Sequence, residues 1–194
     1  MKSLLFYVFL LMSFNSFSQK TVNATLITNT NDTLRSNIVV STKSFDRTLL
    51  NELSLQRTLK LKDSRGKHKL KESEIKYLEF VDFQHRKRKF TSKQLIPELK
   101  NKNRLYEQMI TGKLNWYKSY IKNVYDGSII IYDHFFLQGQ TPKDVGLFNL
   151  RKKLKELTAP TRPDLLEKID KWTCNNIDER NKLIFELITS LNTH

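Results

Sequence analysis

Residue types able to do chemistry are few in this 194-residue chain, and their spacing limits what they can do together. The four histidines, His68, His85, His134 and His194, never fall at a separation that would set two imidazoles on one helical face, so no metal site is expected. Asp133-His134 places an acid beside an imidazole. Neighbours along a strand point to opposite faces, however, and the pair reads as a surface acid and a partly buried histidine. Cys174, the only cysteine, stands in Trp172-Thr173-Cys174 between two helical patterns and reads as a small buried thiol. A single cysteine also excludes a disulfide scaffold. The chain has five glycines and lacks a Gly-rich phosphate loop, a Gly-x-Ser-x-Gly elbow and a His-Glu-x-x-His pair. No catalytic residue, metal ligand or cofactor is therefore assigned. The enzyme reading that survives is a periplasmic hydrolase whose site is built from scattered residues among Tyr120, Tyr132, His134 and nearby acids.

Charge is the stronger signal. Lys and Arg number 34 against 20 Asp and Glu, a formal net charge of +14. An excess of that size favours polyanionic partners such as nucleic acid, lipid phosphates or acidic glycans, without choosing among them. The densest cluster is His85-Arg86-Lys87-Arg88-Lys89, and Arg86, Lys87, Arg88 and Lys89 are the candidate anion-binding residues. The same stretch also reads as a solvated turn between a strand ending near Phe83 and a short one around Phe90.

The elements that must position these groups change period along the chain. Alternating apolar residues on either side of Thr30-Asn31-Asp32-Thr33 predict a hairpin. Leu53, Leu55, Leu59 and Leu61 share one parity of a predicted half-buried strand, with Arg57 the single break. Asp63-Ser64-Arg65-Gly66 turns the chain into a lysine-rich return over residues 67–71, where edge lysines would discourage pairing with another molecule. A further strand is predicted over residues 75–83. Leu105, Tyr106, Met109 and Ile110 predict a short helix over residues 103–112, ended by Gly112 in a left-handed conformation. Asp126-Gly127 sits between two aromatic-rich runs and predicts a second hairpin. Beyond Thr141-Pro142 helical spacing takes over, with three helices marked by Leu150, Leu154 and Leu157, by Leu165, Leu166, Ile169 and Trp172, and by Ile184, Leu187, Ile188 and Leu191. The expected fold class is α+β. An antiparallel, sheet-rich part with a short helix spans residues 19–140, and a helical part spans residues 141–194, together forming one domain.

Residues 1–18 read differently. Lys2 precedes an apolar run over residues 4–12, and Ser16-Phe17-Ser18 supplies small residues ahead of Gln19, the pattern of a signal peptide cleaved near Ser18-Gln19. The run is about half the roughly 20 residues of a membrane span, so no transmembrane segment is expected in the mature chain. Cleavage would remove Lys2 and leave 33 basic against 20 acidic residues. The expected location is the periplasm, the cell surface or the medium. Anionic envelope lipid or polysaccharide, or an envelope protein complex, would be the partner; nucleic acid is not expected there.

The order of parts resembles a group of exported Bacteroidetes proteins. The resemblance rests on Phe17-Ser18-Gln19, Asn31-Asp32-Thr33-Leu34, the strand from Ile75 to Phe80, the Tyr-rich hairpin from Leu114 to Phe136, the Lys-rich helix from Leu150 to Leu157, and the Pro163 to Ile169 segment. It implies export and the sheet-then-helix architecture, and it supplies no activity. Asn31 stands where that group commonly has glycine. Asp32-Thr33-Leu34 also resembles a three-residue O-glycosylation acceptor of such bacteria.

Overall fold

Residues two apart on a strand share a face, so the alternating apolar runs of this chain can all bury one side against a common core. The computed structural model describes residues 19–43, 46–63, 66–93, 95, 104–137, 143–145, 150–173 and 176–193. Among them, ten strands make one antiparallel sheet. They are β1 (Gln19–Thr28), β2 (Thr33–Ser41), β3 (Thr58–Asp63), β4 (Gly66–Lys71) and β5 (Ile75–Val81). β6 (Lys87–Lys93), β7 (Arg104–Ile110), β8 (Leu114–Lys122), β9 (Ile129–Leu137) and a three-residue β10 (Lys143–Val145) complete the sheet. Three helices follow: α1 (Leu150–Thr158), α2 (Leu166–Asp170) and α3 (Ile177–Asn192). Sheet first and helices last is the expected order. The proposed leader and Cys174 lie outside the described residues.

The strand order is β10-β9-β8-β7-β6-β5-β1-β2-β3-β4. Two meanders, β1 to β4 and β5 to β10, are thus joined edge to edge where β5 pairs with β1, setting Leu26 opposite both Leu34 and Leu78. Both expected hairpins form. In the first, Asn31 adopts φ +64°, a left-handed conformation that asparagine tolerates better than most residues. In the second, Gly127 adopts φ +72° and its N–H donates to the Asn123 carbonyl at 3.0 Å.

Three expectations are corrected. The short helix expected over residues 103–112 is not found among its described residues: Arg104–Ile110 is strand β7, paired with β6 and β8. A register shift between Gln108 and Ile110 moves the apolar side chains from one parity to the other, and this bulge imitates helical spacing in the sequence. Gly112 has no left-handed role either, being needed for room, because a Cβ there would meet the Asn192 side chain at 2.5 to 2.8 Å. The Leu53 to Leu61 run is also broken in two. Residues Glu52–Leu55 form a 3-10 turn capped by Asn51, Arg57 takes φ +64°, and the strand begins only at Thr58. The Glu72 carboxylate holds that break by accepting the Arg57 N–H at 2.9 Å and the Leu105 N–H at 2.7 Å.

The inner face of the sheet carries two apolar cores. One gathers Leu26, Ile38, Leu59, Leu61, Leu78, Phe80 and Phe90 beneath Leu55 of the 3-10 turn. The other packs Leu114, Trp116 and Phe135 against Leu154, Ile169, Ile184 and Ile188 of the helices. Strand β8 serves both, with Tyr120 in the first core, Trp116 in the second and Lys118 between them. The turn after β2 reaches across that face, where Gln56 donates its amide to the Tyr120 carbonyl.

Candidate anion-binding face

The lysine-rich hairpin sets the geometry of the outer face. Asp63 pairs with Gly66, and this register places Lys62 directly opposite Lys67 and Lys60 directly opposite Lys69. All four lysines are exposed, on the side away from Leu59 and Leu61. Directly opposed like charges weaken a strand pair, by about 0.2–1 kcal/mol each on the scale of cross-strand interactions. Guarding the open edge explains lysines on β4, which ends the sheet. It does not explain their partners on β3, which is an interior strand. Arg35 on β2 and Lys87 and Lys89 on β6 extend the same face, which also carries the acid Glu79 on β5 and is bordered by Asp63 at the end of β3.

An open trough of about 640 Å³ crosses this face, lined mostly by polar residues. Its shape follows from side-chain length. Asn23 and Thr25 on β1 are short, while Arg35 and Lys62 rise on one side and Glu79 and Lys87 on the other. Lys87 Nζ lies 2.9 Å from Glu79 Oε1 and the Tyr77 hydroxyl donates to Oε2 at 2.8 Å, so the Glu79 carboxylate is fully engaged. The Lys87 contact, then Tyr77, holds Glu79 below the ordinary carboxylate range. Burial, reinforced by Glu79, pushes the Tyr77 phenol up to about 12. Among the described residues no carboxylate lies within ion-pair distance of Arg35, Lys60, Lys62, Lys67 or Lys69.

The four candidates of the sequence separate. Arg86 lies in the turn, 54% exposed, and pairs with Asp82 at 3.0 Å. Lys87 and Lys89 belong to the outer face, and Arg88, one residue between them, points inward and is 6% exposed. Its guanidinium grips Glu107 through Nε and through Nη2 at 2.9 Å, meets Asp82 at 3.2 Å and Glu52 at 3.4 Å. Burial opposes that charge, but Glu107 and the other acids outweigh it and raise the guanidinium's affinity for its proton. An anion has no access to such a group.

Sequence reasoning also missed the rest of the buried ladder to which Arg88 belongs. Glu107 stands opposite Lys118, and Lys118 opposite Asp133, across three neighbouring strands. Lys118 Nζ donates to Asn181 Oδ1 at 2.7 Å, and Arg180 Nη2 reaches Asp133 Oδ2 at 2.7 Å, both from α3. Asp133 Oδ1 accepts the Trp116 indole N–H at 2.8 Å. Burial lowers the Lys118 pKa against the pull of Asp133 and Glu107, and it raises that of Tyr120, whose hydroxyl donates to Glu107. The legible signal was a charge on an otherwise apolar parity: Leu114, Trp116, Lys118, Tyr120 on β8 and Ile131, Asp133, Phe135 on β9.

Acid, base and phenol types therefore do meet here, yet Glu107, Lys118, Tyr120 and Asp133 are each 7% exposed or less. Compared with known protein-family models, curated proteins and solved structures, the chain matches none of them. On the opposite side of the sheet, Ser119 Oγ lies 2.8 Å from His134 Nε2, with Tyr106 edge-on to the imidazole at 5.2 Å. These are nucleophile and base types, but His134 is 1% exposed. Tyr120 and His134 fall on opposite faces, so the residues named for a hydrolase site do not converge. The cationic outer face, by contrast, is open to a ligand.

Proposed function

We propose that the mature chain is a non-catalytic, exported binding module of the bacterial envelope that holds anionic polymer on the outer face of its sheet. The observation that carries this reading is the pair of opposed lysines, Lys60 with Lys69 and Lys62 with Lys67. Neighbouring strands are about 4.8 Å apart and alternate residues about 6.8 Å apart along a strand, so the four ammonium stems rise from a tight grid. A polyanion laid over that grid relieves the repulsion and releases its own counterions. Export is the part of the proposal that rests on residues 1–18 alone.

Retention of the mature chain on an immobilised acidic polysaccharide tests the electrostatic part. Replacing Lys60, Lys62, Lys67 and Lys69 by Gln should cut retention at least tenfold at physiological salt and leave the fold intact, with a melting temperature equal to or above that of the parent. Retention of the parent should fall steeply as salt rises, because the Debye length shrinks from about 10 Å at 0.1 M to about 3 Å at 1 M. Equal retention of the parent, the variant and a neutral control would end the proposal. N-terminal sequencing of the protein from fractionated cells tests export: Gln19 should be the first residue, and an intact Met1 on cytosolic protein would overturn that part.

A further inference from the structure

The trough contains a feature that charge alone does not require. Asn23 and Asn37 are exposed and stand directly opposite each other in the middle of β1 and β2, with Thr25 and Arg35 the next pair along. Asparagine is disfavoured in strands, and a central strand pair is where β-branched residues would serve stability better. Among the described residues no hydrogen bond holds either side-chain amide, so two NH2 groups, with four N–H donors, and two carbonyl oxygens face the cavity. The Arg35 guanidinium and the Lys62 ammonium, neither within ion-pair distance of a carboxylate among the described residues, flank them, and Lys62 is the cross-strand neighbour of Asn37; Asp63, 3.7 Å from His68, also belongs to the lining. Local rules are broken in this way where a site needs particular groups.

We propose that the trough is a saccharide subsite that takes one carboxylate-bearing sugar unit of an acidic polysaccharide; this rests on the anion-binding reading of the same face. Neutral amides and the Thr25 hydroxyl match the mixed donors and acceptors of sugar hydroxyls, and the planar fork of Arg35 matches a carboxylate. The cavity, about 640 Å³, lies within the usual range of ligand sites. A bilayer surface would span such a recess without filling it. Val81 is the exposed large hydrophobic residue along its wall, which gives little to insert into lipid. Phe80, the aromatic residue of the lining, is 3% exposed and packs in the core on the other face, so it offers no platform for stacked bases.

The test uses the full mature chain and two variants. Asn23→Val with Asn37→Val removes the amides and improves strand propensity, so folding is not at risk. Lys60→Gln with Lys69→Gln removes charge outside the trough. Binding is measured to polygalacturonate, to dextran, to phosphatidylglycerol vesicles and to duplex DNA at equal ionic strength. The parent should prefer polygalacturonate, the asparagine variant should lose at least tenfold on that polymer while changing less than twofold on vesicles and DNA, and the lysine variant should weaken on all three polyanions. Unchanged binding of the asparagine variant to polygalacturonate, or a parent preference for vesicles or DNA, would overturn the subsite and leave the anionic face standing. A lysine variant that binds every polyanion as the parent does would remove the face reading itself.

Discussion

Arg88 and its neighbours show how one residue step decides between function and structure. On β6 the side chains of Lys87 and Lys89 rise to the outer face, and Arg88 enters a nest of three acids, Glu52, Asp82 and Glu107. A buried pair adds little over an apolar one, but breaking it leaves a desolvated charge. Glu107→Leu should therefore lower the unfolding free energy by about 3–5 kcal/mol, measured by urea denaturation, whereas Lys89→Leu should stay within about 0.5 kcal/mol of the parent. Asp82 gives the acid limb. Burial pushes its carboxyl up, but the N–H groups of Arg86 and Gln84 and the Arg86 guanidinium outweigh that and hold it below its ordinary value. A depressed carboxylate stabilises the fold above the unfolded pKa, and that contribution is lost as pH falls through the folded one. The stability gap between the parent and Asp82→Asn should be full at neutral pH and close on acidification to about pH 2; a gap independent of pH would contradict the assignment.

Among the elements, α3 is fastened to the sheet at both ends. Arg180 and Asn181 in its first two turns meet Asp133 and Lys118, and Asn192 in its last turn brackets Leu114. Asn192 Oδ1 accepts the Leu114 N–H at 2.8 Å, and its amide donates to the Leu114 carbonyl at 3.0 Å, so one side chain satisfies both backbone groups at the start of β8. Gly112 leaves the space for it. Gly112→Ala should cost about 1–3 kcal/mol through these two hydrogen bonds. In an Asn192→Ala background the same change should cost much less, since the clashing atoms are gone. Equal costs in the two backgrounds, read from a double-mutant cycle, would show that Gly112 serves something else.

For the molecule as a whole, the helices complete the fold and are not an appendage to it. They cover Leu114, Trp116 and Phe135, and they neutralise Asp133 and occupy Lys118. A chain ending at Gln140 should expose that apolar surface and strip Asp133 of Arg180, and should lose the cooperative unfolding transition or aggregate. A soluble fragment with native-like near-ultraviolet circular dichroism would refute this. No described helix is long and apolar enough to cross a membrane.

The amino-acid sequence by itself determined the local matters: both hairpins, the alternation that buries one face, the helical period after residue 150, and the hairpin that must set lysine against lysine once Asp63 meets Gly66. These depend on neighbours in the chain, where periodicity and turn chemistry act directly. Only the tertiary structure decided that residues 104–110 are a strand, that Arg57 breaks a run of leucines, and that β5 returns to pair with β1. It alone placed Arg88 inside, gathered Glu107, Lys118, Asp133 and Arg180 into one ladder, and brought Glu79 and Lys87 alongside Asn23 to wall an open trough. Each of those outcomes turns on which distant strand lies alongside, and that choice is made by packing across the whole sheet, which no local period encodes.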